Sequence, residues 1–311
     1  FDELLLRTLR ETEADLVDWP GSEREDALYA AGPRPLDEEA LRETDRAWVP
    51  RAARRFEEAV WPDIEALIAS GRRTALIGLG SIEQHGPHLP LGTDRWIADS
   101  LLEGLAERLE DAVAIPAVAV GCASEHLDFP GTLHVEAGTL EAILRDLLAS
   151  LAHHGFERVF LFTAHGGNVE ALHAMGDRLR EAGHGLELRI ETDLRVGAMQ
   201  SAAVAAESLS PLAAGPHAGE YETSLVALLR PGTVRTERLE PGRVVEPGQA
   251  GGLFYPSLRP NTESGVLGDP SLARAERGDR YRDAWLDLLE KAYHAAFPSS
   301  TVMRSAEKKR K

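Results

Sequence analysis

Residues 74–94 read Thr74-Ala75-Leu76-Ile77-Gly78-Leu79-Gly80-Ser81-Ile82-Glu83-Gln84-His85-Gly86-Pro87-His88-Leu89-Pro90-Leu91-Gly92-Thr93-Asp94. A short apolar run of strand length passes directly into a loop dense in acids and histidines. In extended backbone, residues i and i+2 face the same side, so Glu83 and His85 project together. Pro87 and Pro90 stiffen the loop, which can return Asp94 to the same point.

Further runs of this kind follow at 112–120, 158–162 and 186–190, separated by helical patterns at about 95–110, 138–153 and 168–182. Within 139–148 the apolar residues recur at i, i+3, i+4 and i+7. Strands alternating with helices of this length predict βαβ units, an α/β class and a mostly parallel sheet. In such sheets the site lies beyond the carboxyl ends of the strands. The run at 158–162 ends in Thr163-Ala164-His165-Gly166-Gly167-Asn168, which puts His165 at an equivalent strand end with a helix starting at Asn168. Further on, His217-Ala218-Gly219-Glu220-Tyr221-Glu222 offers one more histidine and two carboxylates before a helical pattern.

Histidine and carboxylate without thiolate suit Zn²⁺, Mn²⁺ or Fe²⁺ in a hydrolytic role. Three carboxylates balance all but one unit of charge on two divalent ions, and a bridging hydroxide, the expected nucleophile, neutralises the rest. Taken singly, each segment has a plainer reading. His165 suits a structural or solvated strand end, Glu83 and His85 a hydrogen-bonded turn, and Glu220 and Glu222 a helix N-terminus. Convergence of three such segments on one sheet edge favours the metal. Gly78-Leu79-Gly80-Ser81-Ile82-Glu83 begins like a dinucleotide fingerprint, but Glu83 replaces its last glycine. His153 and His154 read as a helix cap, His173 and His184 as helix-surface residues, and Cys122 as a buried apolar thiol.

Composition bounds the rest. The 311 residues carry 34 Lys+Arg against 51 Asp+Glu, a formal net charge of −17, with 43 % hydrophobic residues. That acidic excess argues against nucleic-acid and anionic-membrane partners, and a single cysteine excludes a disulfide framework. The expectation is a soluble, cytoplasmic protein with a small-molecule substrate. Residues 1–60 are charge-dense and weakly patterned and read as a partly helical extension that wraps the body or a partner, or stands off as an arm. Residues 61–297 are expected to form the main α/β domain that carries the candidate site, and 298–311 a basic tail.

The segments GSIEQHGPHLPLGTD, SEHLDFPGT, AHGGN and HAGEYETS, in this order and spacing, resemble the creatininase (creatinine amidohydrolase) family, as does GVLGDP at 265–270. The resemblance implies a three-layer α/β/α sandwich, two divalent metal ions per chain, and a homo-oligomer, hexamers among them. It implies Glu83, His85, Asp94 and His165 as metal ligands, with Asp94 bridging, and His217 as the catalytic proton shuttle. Creatininase itself carries a Tyr and a ligating Glu after the histidine of its turn, where this chain has Gly166 and Gly167. In relatives with two glycines the Glu of the ETS motif completes the set, which is Glu222 here, whereas spacing alone favours Glu220. Ser124, Glu125 and His126 are expected to line the substrate side. The family's pocket tryptophans have no counterpart, since no Trp lies between Trp96 and Trp285. The expected reaction is hydrolysis of a C–N bond in a cyclic or linear amide. Deformylase, peptidase and keto-cyclitol hydrolase activities of the same family are alternatives, and a non-catalytic binding protein on the same scaffold is another.

Overall fold

The structure, a computed structural model, describes residues 53–192, 214–244 and 251–298. Most of the expected N-terminal extension and all but the first residue of the basic tail lie outside the described residues. Thr74–Leu79 forms β1, buried along its whole length. It pairs in parallel with β2 (Ala112–Val118) on one side and β3 (Arg158–Thr163) on the other. β3 pairs in parallel with β4 (Glu187–Glu191), giving the order β2-β1-β3-β4. The β1–β2 register shifts between Ile77 and Leu79. Pro116, which has no N–H for the ladder, lies opposite that shift, and β2 stops two residues short of the sequence expectation.

Side chains alternate between the two faces of each strand. Leu76, Ala114, Phe160 and Phe162 join one core layer, while Ala75, Ile77, Val113, Val159 and Leu161 join the other. The first layer is closed by α2 (Thr93–Arg108), α5 (Glu220–Leu229) and α6 (Ala275–Ala296). The second is closed by α1 (Trp61–Ala69), α3 (Ala137–His153) and α4 (Asn168–Glu181). This is the expected three-layer α/β/α sandwich. Each fully buried Leu or Phe in these layers is worth roughly 1.5–3 kcal/mol against exposure. Residues 53–59, the described end of the extension, pack on the body. Ala53 is buried, Phe56 and Ala59 touch the second layer, and Arg54 and Arg55 pair with Glu107 and Glu103 of α2.

The chain leaves β1 toward β2 and leaves β3 toward β4, so the connections diverge between β1 and β3. A crevice opens outside the carboxyl ends at such a point. Asn168 ties the loops around it together. Its amide nitrogen donates to the Gly80 carbonyl and to Thr163 Oγ1, each at 3.2 Å, and its oxygen accepts from Cys122 N–H at 2.9 Å. One buried side chain thereby fixes the ends of β1 and β3 and the loop after β2.

Candidate metal centre

The crevice gathers the residues expected from the sequence. After β1 the chain folds back, with Glu83 N–H donating to the Leu91 carbonyl at 3.0 Å. That return sets Asp94 in the first turn of α2, facing Glu83 and His85. Asp94 Oδ1 lies 3.3 Å from His85 Nε2, and its Oδ2 lies 3.2 Å from His165 Nδ1. Glu83 Oε2 lies 3.1 Å from His165 Nδ1, and Glu222 Oε2 lies 3.7 Å from His85 Nε2. Two half-sites result, one around His165 and Glu83, the other around His85 and Glu222, with Asp94 between them. All five side chains are at most 3 % exposed.

Proton positions show what the cluster lacks. His165 Nε2–H donates to the Cys122 carbonyl at 2.8 Å, and His85 Nδ1–H donates to the Glu83 carbonyl at 3.2 Å. Each ring therefore turns its other nitrogen, a lone pair when neutral, toward carboxylate oxygens, the arrangement that backbone carbonyls impose on metal-bound histidines. Both oxygens of Glu83, both of Asp94 and Nε2 of His85 are buried without a hydrogen-bond partner. Acceptors converging in a dry site repel one another unless a cation or protons lie between them. The donor set, nitrogen and oxygen with no sulfur, fits Zn²⁺, Mn²⁺ or Fe²⁺.

In the metal-free protein, protons fill part of this role. Burial opposes charge on His85, but the Asp94 carboxylate outweighs it and raises the imidazole to about 9. His165 is likewise raised well above its ordinary value, burial being overcome chiefly by Glu83. Burial pushes Glu83 and Asp94 up, and the neighbouring histidines, His165 for Glu83 and His85 for Asp94, hold both below the ordinary carboxylate range. A histidine raised in the fold stabilises fully below its unfolded value of about 6.5 and loses that contribution as pH rises through its folded value. The metal-free protein is therefore expected to lose thermal stability between about pH 6.5 and 9, the upper bound being the His85 value. Zinc affinity should climb across the same window as the metal displaces those protons. Calorimetric scans with and without chelator check this, and a flat metal-free profile would contradict it.

α5 separates its two acids. Glu222 Oε2 accepts from Ala218 N–H at 2.6 Å and faces His85. Glu220 turns the other way. Its Oε1 accepts from Ser224 Oγ at 2.7 Å and pairs with Arg277 at 3.2 Å, while Oε2 accepts from Tyr281 OH at 2.9 Å. Glu220 thus links α5 to α6, and Glu222 alone of the two reaches the cluster. His217 sits within ligand-atom reach of both half-sites, its atoms lying within 4.8 Å of the Glu83–His126 group and of the His85–Glu222 group. His88, passed over in the sequence, is fully buried and donates from Nε2 to Thr223 Oγ1 at 3.0 Å, which in turn donates to the Gly219 carbonyl. It ties the 86–90 loop to the first turn of α5. Burial, with His85 nearby, lowers it to about 4 and keeps it neutral.

A sequence model of the creatininase family, described as creatinine amidohydrolase, matches residues 57–293. The chain belongs to the creatininase family. It is 34 % identical over 215 residues to the mycofactocin precursor peptide peptidase of Mycolicibacterium smegmatis, covering 66 % of this chain and 78 % of that protein. It is 26 % identical over 255 residues to the creatinine amidohydrolase of Pseudomonas putida, covering 78 % and 96 %. A crystal structure of creatinine amidohydrolase superposes with a TM-score of 0.65 at 26 % identity, over 78 % of this chain and 97 % of that one. A manganese form of creatininase gives a TM-score of 0.64 at 25 % identity. These relatives are hydrolases, and the chain is an enzyme of that creatininase-family class rather than a binding protein on a borrowed scaffold.

Against creatininase, the Gly-Gly turn here has a steric cause. Gly167 has a φ of −63°, open to any residue, but a Cβ there would overlap the Cys122 carbonyl, His165 Nε2 and Glu125 Oε1. The Glu125 carboxyl thus borders the space that a side chain at position 167 would take. Gly167→Ala is expected to cost about 1–3 kcal/mol and to weaken the His165–Cys122 bond, read as a lower Tm together with reduced metal content. An unchanged Tm and full metal content would show that the turn has room.

A cavity of about 220 Å³ opens on the cluster, lined by Glu83, His165, His217, Glu125, His126 and Gly167 among others. Ser124, expected beside Glu125 and His126, is exposed and does not line it. The three residues form a single 3₁₀ turn, whose side chains diverge by about a third of a turn each, so they cannot share one direction. Among the described residues, tryptophans are absent from this lining, yet the pocket has an aromatic wall that the sequence did not reveal. Phe254 and Tyr255 close one side, the Phe254 ring lying 6.1 Å from that of His126 and 6.2 Å from that of His217. They come from beyond the last histidine of the site rather than before it. Burial, then the Glu125 charge, pushes the Tyr255 hydroxyl up to about 12 and keeps it a donor. Cys122 is half-buried rather than buried, and its backbone carries its role through His165 and Asn168.

Proposed function

We propose that this enzyme hydrolyses a C–N bond in a linear, peptide-like amide, with two divalent metal ions, Zn²⁺, Mn²⁺ or Fe²⁺, held by Glu83, His85, Asp94, His165 and Glu222. The observation that carries the reading is the set of buried, partnerless acceptors on Glu83, Asp94 and His85, split by Asp94 into two half-sites. Metal ions bound there supply Lewis acidity and a water acidified toward neutral pH. The chain's own residues do the rest. His217 borders the cavity with Nδ1 turned toward Glu83 Oε1 at 3.9 Å and moves a proton to the departing nitrogen. Phe254 and Tyr255 hold the apolar part of the substrate and keep water off that side, and Glu125 and His126 face its polar part.

The higher identity to peptide peptidases than to creatinine amidohydrolase supports a linear amide over the creatinine ring. The position of the aromatic wall, away from the segments that carry tryptophans in creatininase, supports it too. The test is a panel of short peptides, formamides and lactams with the zinc-, manganese- or iron-loaded protein, and metal analysis beside it. Peptides with an apolar or aromatic residue next to the scissile bond are expected to be turned over, and Phe254→Ala to raise their KM. Preferential turnover of creatinine or another lactam overturns the substrate class, and a protein that binds no metal overturns the site.

A further inference from the structure

Four histidines surround the carboxylates, and one of them is held differently from the rest. His85 and His165 give one N–H to backbone carbonyls and turn the other nitrogen inward, bare once a metal ion displaces its proton. His217 follows them, with Nε2 lying 2.9 Å from the Gln84 carbonyl, which can only accept. Among the described residues His126 has no carbonyl partner for its ring. Its Nδ1 lies 3.0 Å from the side-chain nitrogen of Gln84.

The Gln84 amide cannot be turned round, because its oxygen accepts from Gly86 N–H at 2.9 Å. Its nitrogen is therefore the donor end, with two hydrogens. Three atoms lie in reach: His126 Nδ1 at 3.0 Å, the Gly265 carbonyl at 3.3 Å and His217 Nε2 at 2.8 Å. If His217 Nε2 carries its proton toward the Gln84 carbonyl, the two amide hydrogens go to His126 and Gly265 and every acceptor is paired. If it does not, a lone pair faces that carbonyl, and one of two buried acceptors is left without a donor. The penalty for an unpaired buried acceptor, about 1–3 kcal/mol, selects the first arrangement. Gly265, at φ +79°, leaves the room the amide occupies, since a Cβ there would overlap Gln84 Oε1.

We propose that Gln84 is a positioning residue that holds neutral His126 with its proton on Nε2, making His126 the one histidine of the site that offers an N–H, rather than a lone pair, to a substrate. Nε2 lies 3.3 Å from Glu83 Oε1, yet that oxygen has no aligned donor, and His126 lines the cavity. The N–H is thus available to the oxygen of the scissile carbonyl, whose negative charge grows during attack. One such preorganised donor is worth about 10²–10³ in kcat. The substrate role rests on the amide-hydrolase reading, whereas the tautomer does not.

The experiment is solid-state ¹⁵N NMR on histidine-labelled protein, metal-free and zinc-loaded, with the His126 signals assigned by difference from His126→Gln. The expected spectrum shows His126 protonated at Nε2 and bare at Nδ1. In Gln84→Met the two tautomers should mix and kcat fall about tenfold or more, with KM and metal content little changed. On a peptide substrate His126→Leu should lose about 10²-fold in kcat, and His126→Gln, which keeps an N–H donor, should recover part of it. A native spectrum with the proton on Nδ1 overturns the inference even if Gln84→Met fails to fold. So does a Gln84→Met protein with unchanged kcat and unchanged signals. The expected spectrum from a protein that hydrolyses no amide overturns the proposed function instead and leaves the tautomer assignment standing.

Discussion

Asp94→Asn is expected to strip the protein of bound metal and to lower turnover roughly a thousandfold or more, ~4 kcal/mol of barrier at about 1.4 kcal/mol per tenfold. Among the described residues no other carboxylate spans the two half-sites. Oδ1 faces His85 at 3.3 Å and Oδ2 faces His165 at 3.2 Å, so removing its charge should weaken both proposed metal positions together. Asparagine keeps the shape, and its amide can donate to one of the two imidazole nitrogens. The metal-free variant is therefore expected to fold but to melt lower than the metal-free parent near neutral pH, where the parent pairs protonated His85 and His165 with the Asp94 carboxylate. Glu222→Gln, in the His85 half, should lose about half of the metal. Metal analysis of the three proteins, with Tm measured in chelator, checks the set. Full metal occupancy in Asp94→Asn would remove Asp94 from the bridging position.

His217→Ala should behave in the opposite way, retaining metal while kcat falls about 10²–10⁴-fold, the range for loss of a positioned proton-transfer group. His217 is 2 % exposed and stacks on His126 with ring centroids 4.5 Å apart. Its removal opens a void that a small imidazole can enter. Partial rescue of kcat by added imidazole is the sign of a lost proton carrier, which a merely structural gap would not show. Loss of metal together with activity would make His217 a ligand, a role its distance to both half-sites leaves within reach.

The candidate metal site was legible to different depths. Glu83 and His85 are two residues apart just after a strand, and that spacing alone aligns them. His165 follows from the same strand-end logic on β3. Glu220 and Glu222 could not be separated in the same way. Both stand in the first turn of α5, and two residues on a helix point about 200° apart, so one must face the site and the other must face away. Which one does is decided by α6, whose Arg277 and Tyr281 meet Glu220 across the helix pair. Nothing in residues 217–224 encodes where α6 lies. Phe254 and Tyr255 sit in a stretch with no period or motif, and only the packing of that stretch over His126 and His217 makes them a pocket wall.

By itself the chain's order of apolar runs and helical patterns determined the parallel sheet and the edge where chemistry collects, while the three-layer sandwich came from the resemblance of its motifs to the family. Strand periodicity and the divergence of connections are local or topological properties, written into consecutive residues. Tertiary structure decided which carboxylate of α5 joins the site, how Gly167 leaves room for Glu125, and on which nitrogen each histidine carries its proton. Those outcomes depend on hydrogen-bond partners and close approaches brought together from opposite ends of the domain, and a partner's direction exists only once both elements are packed.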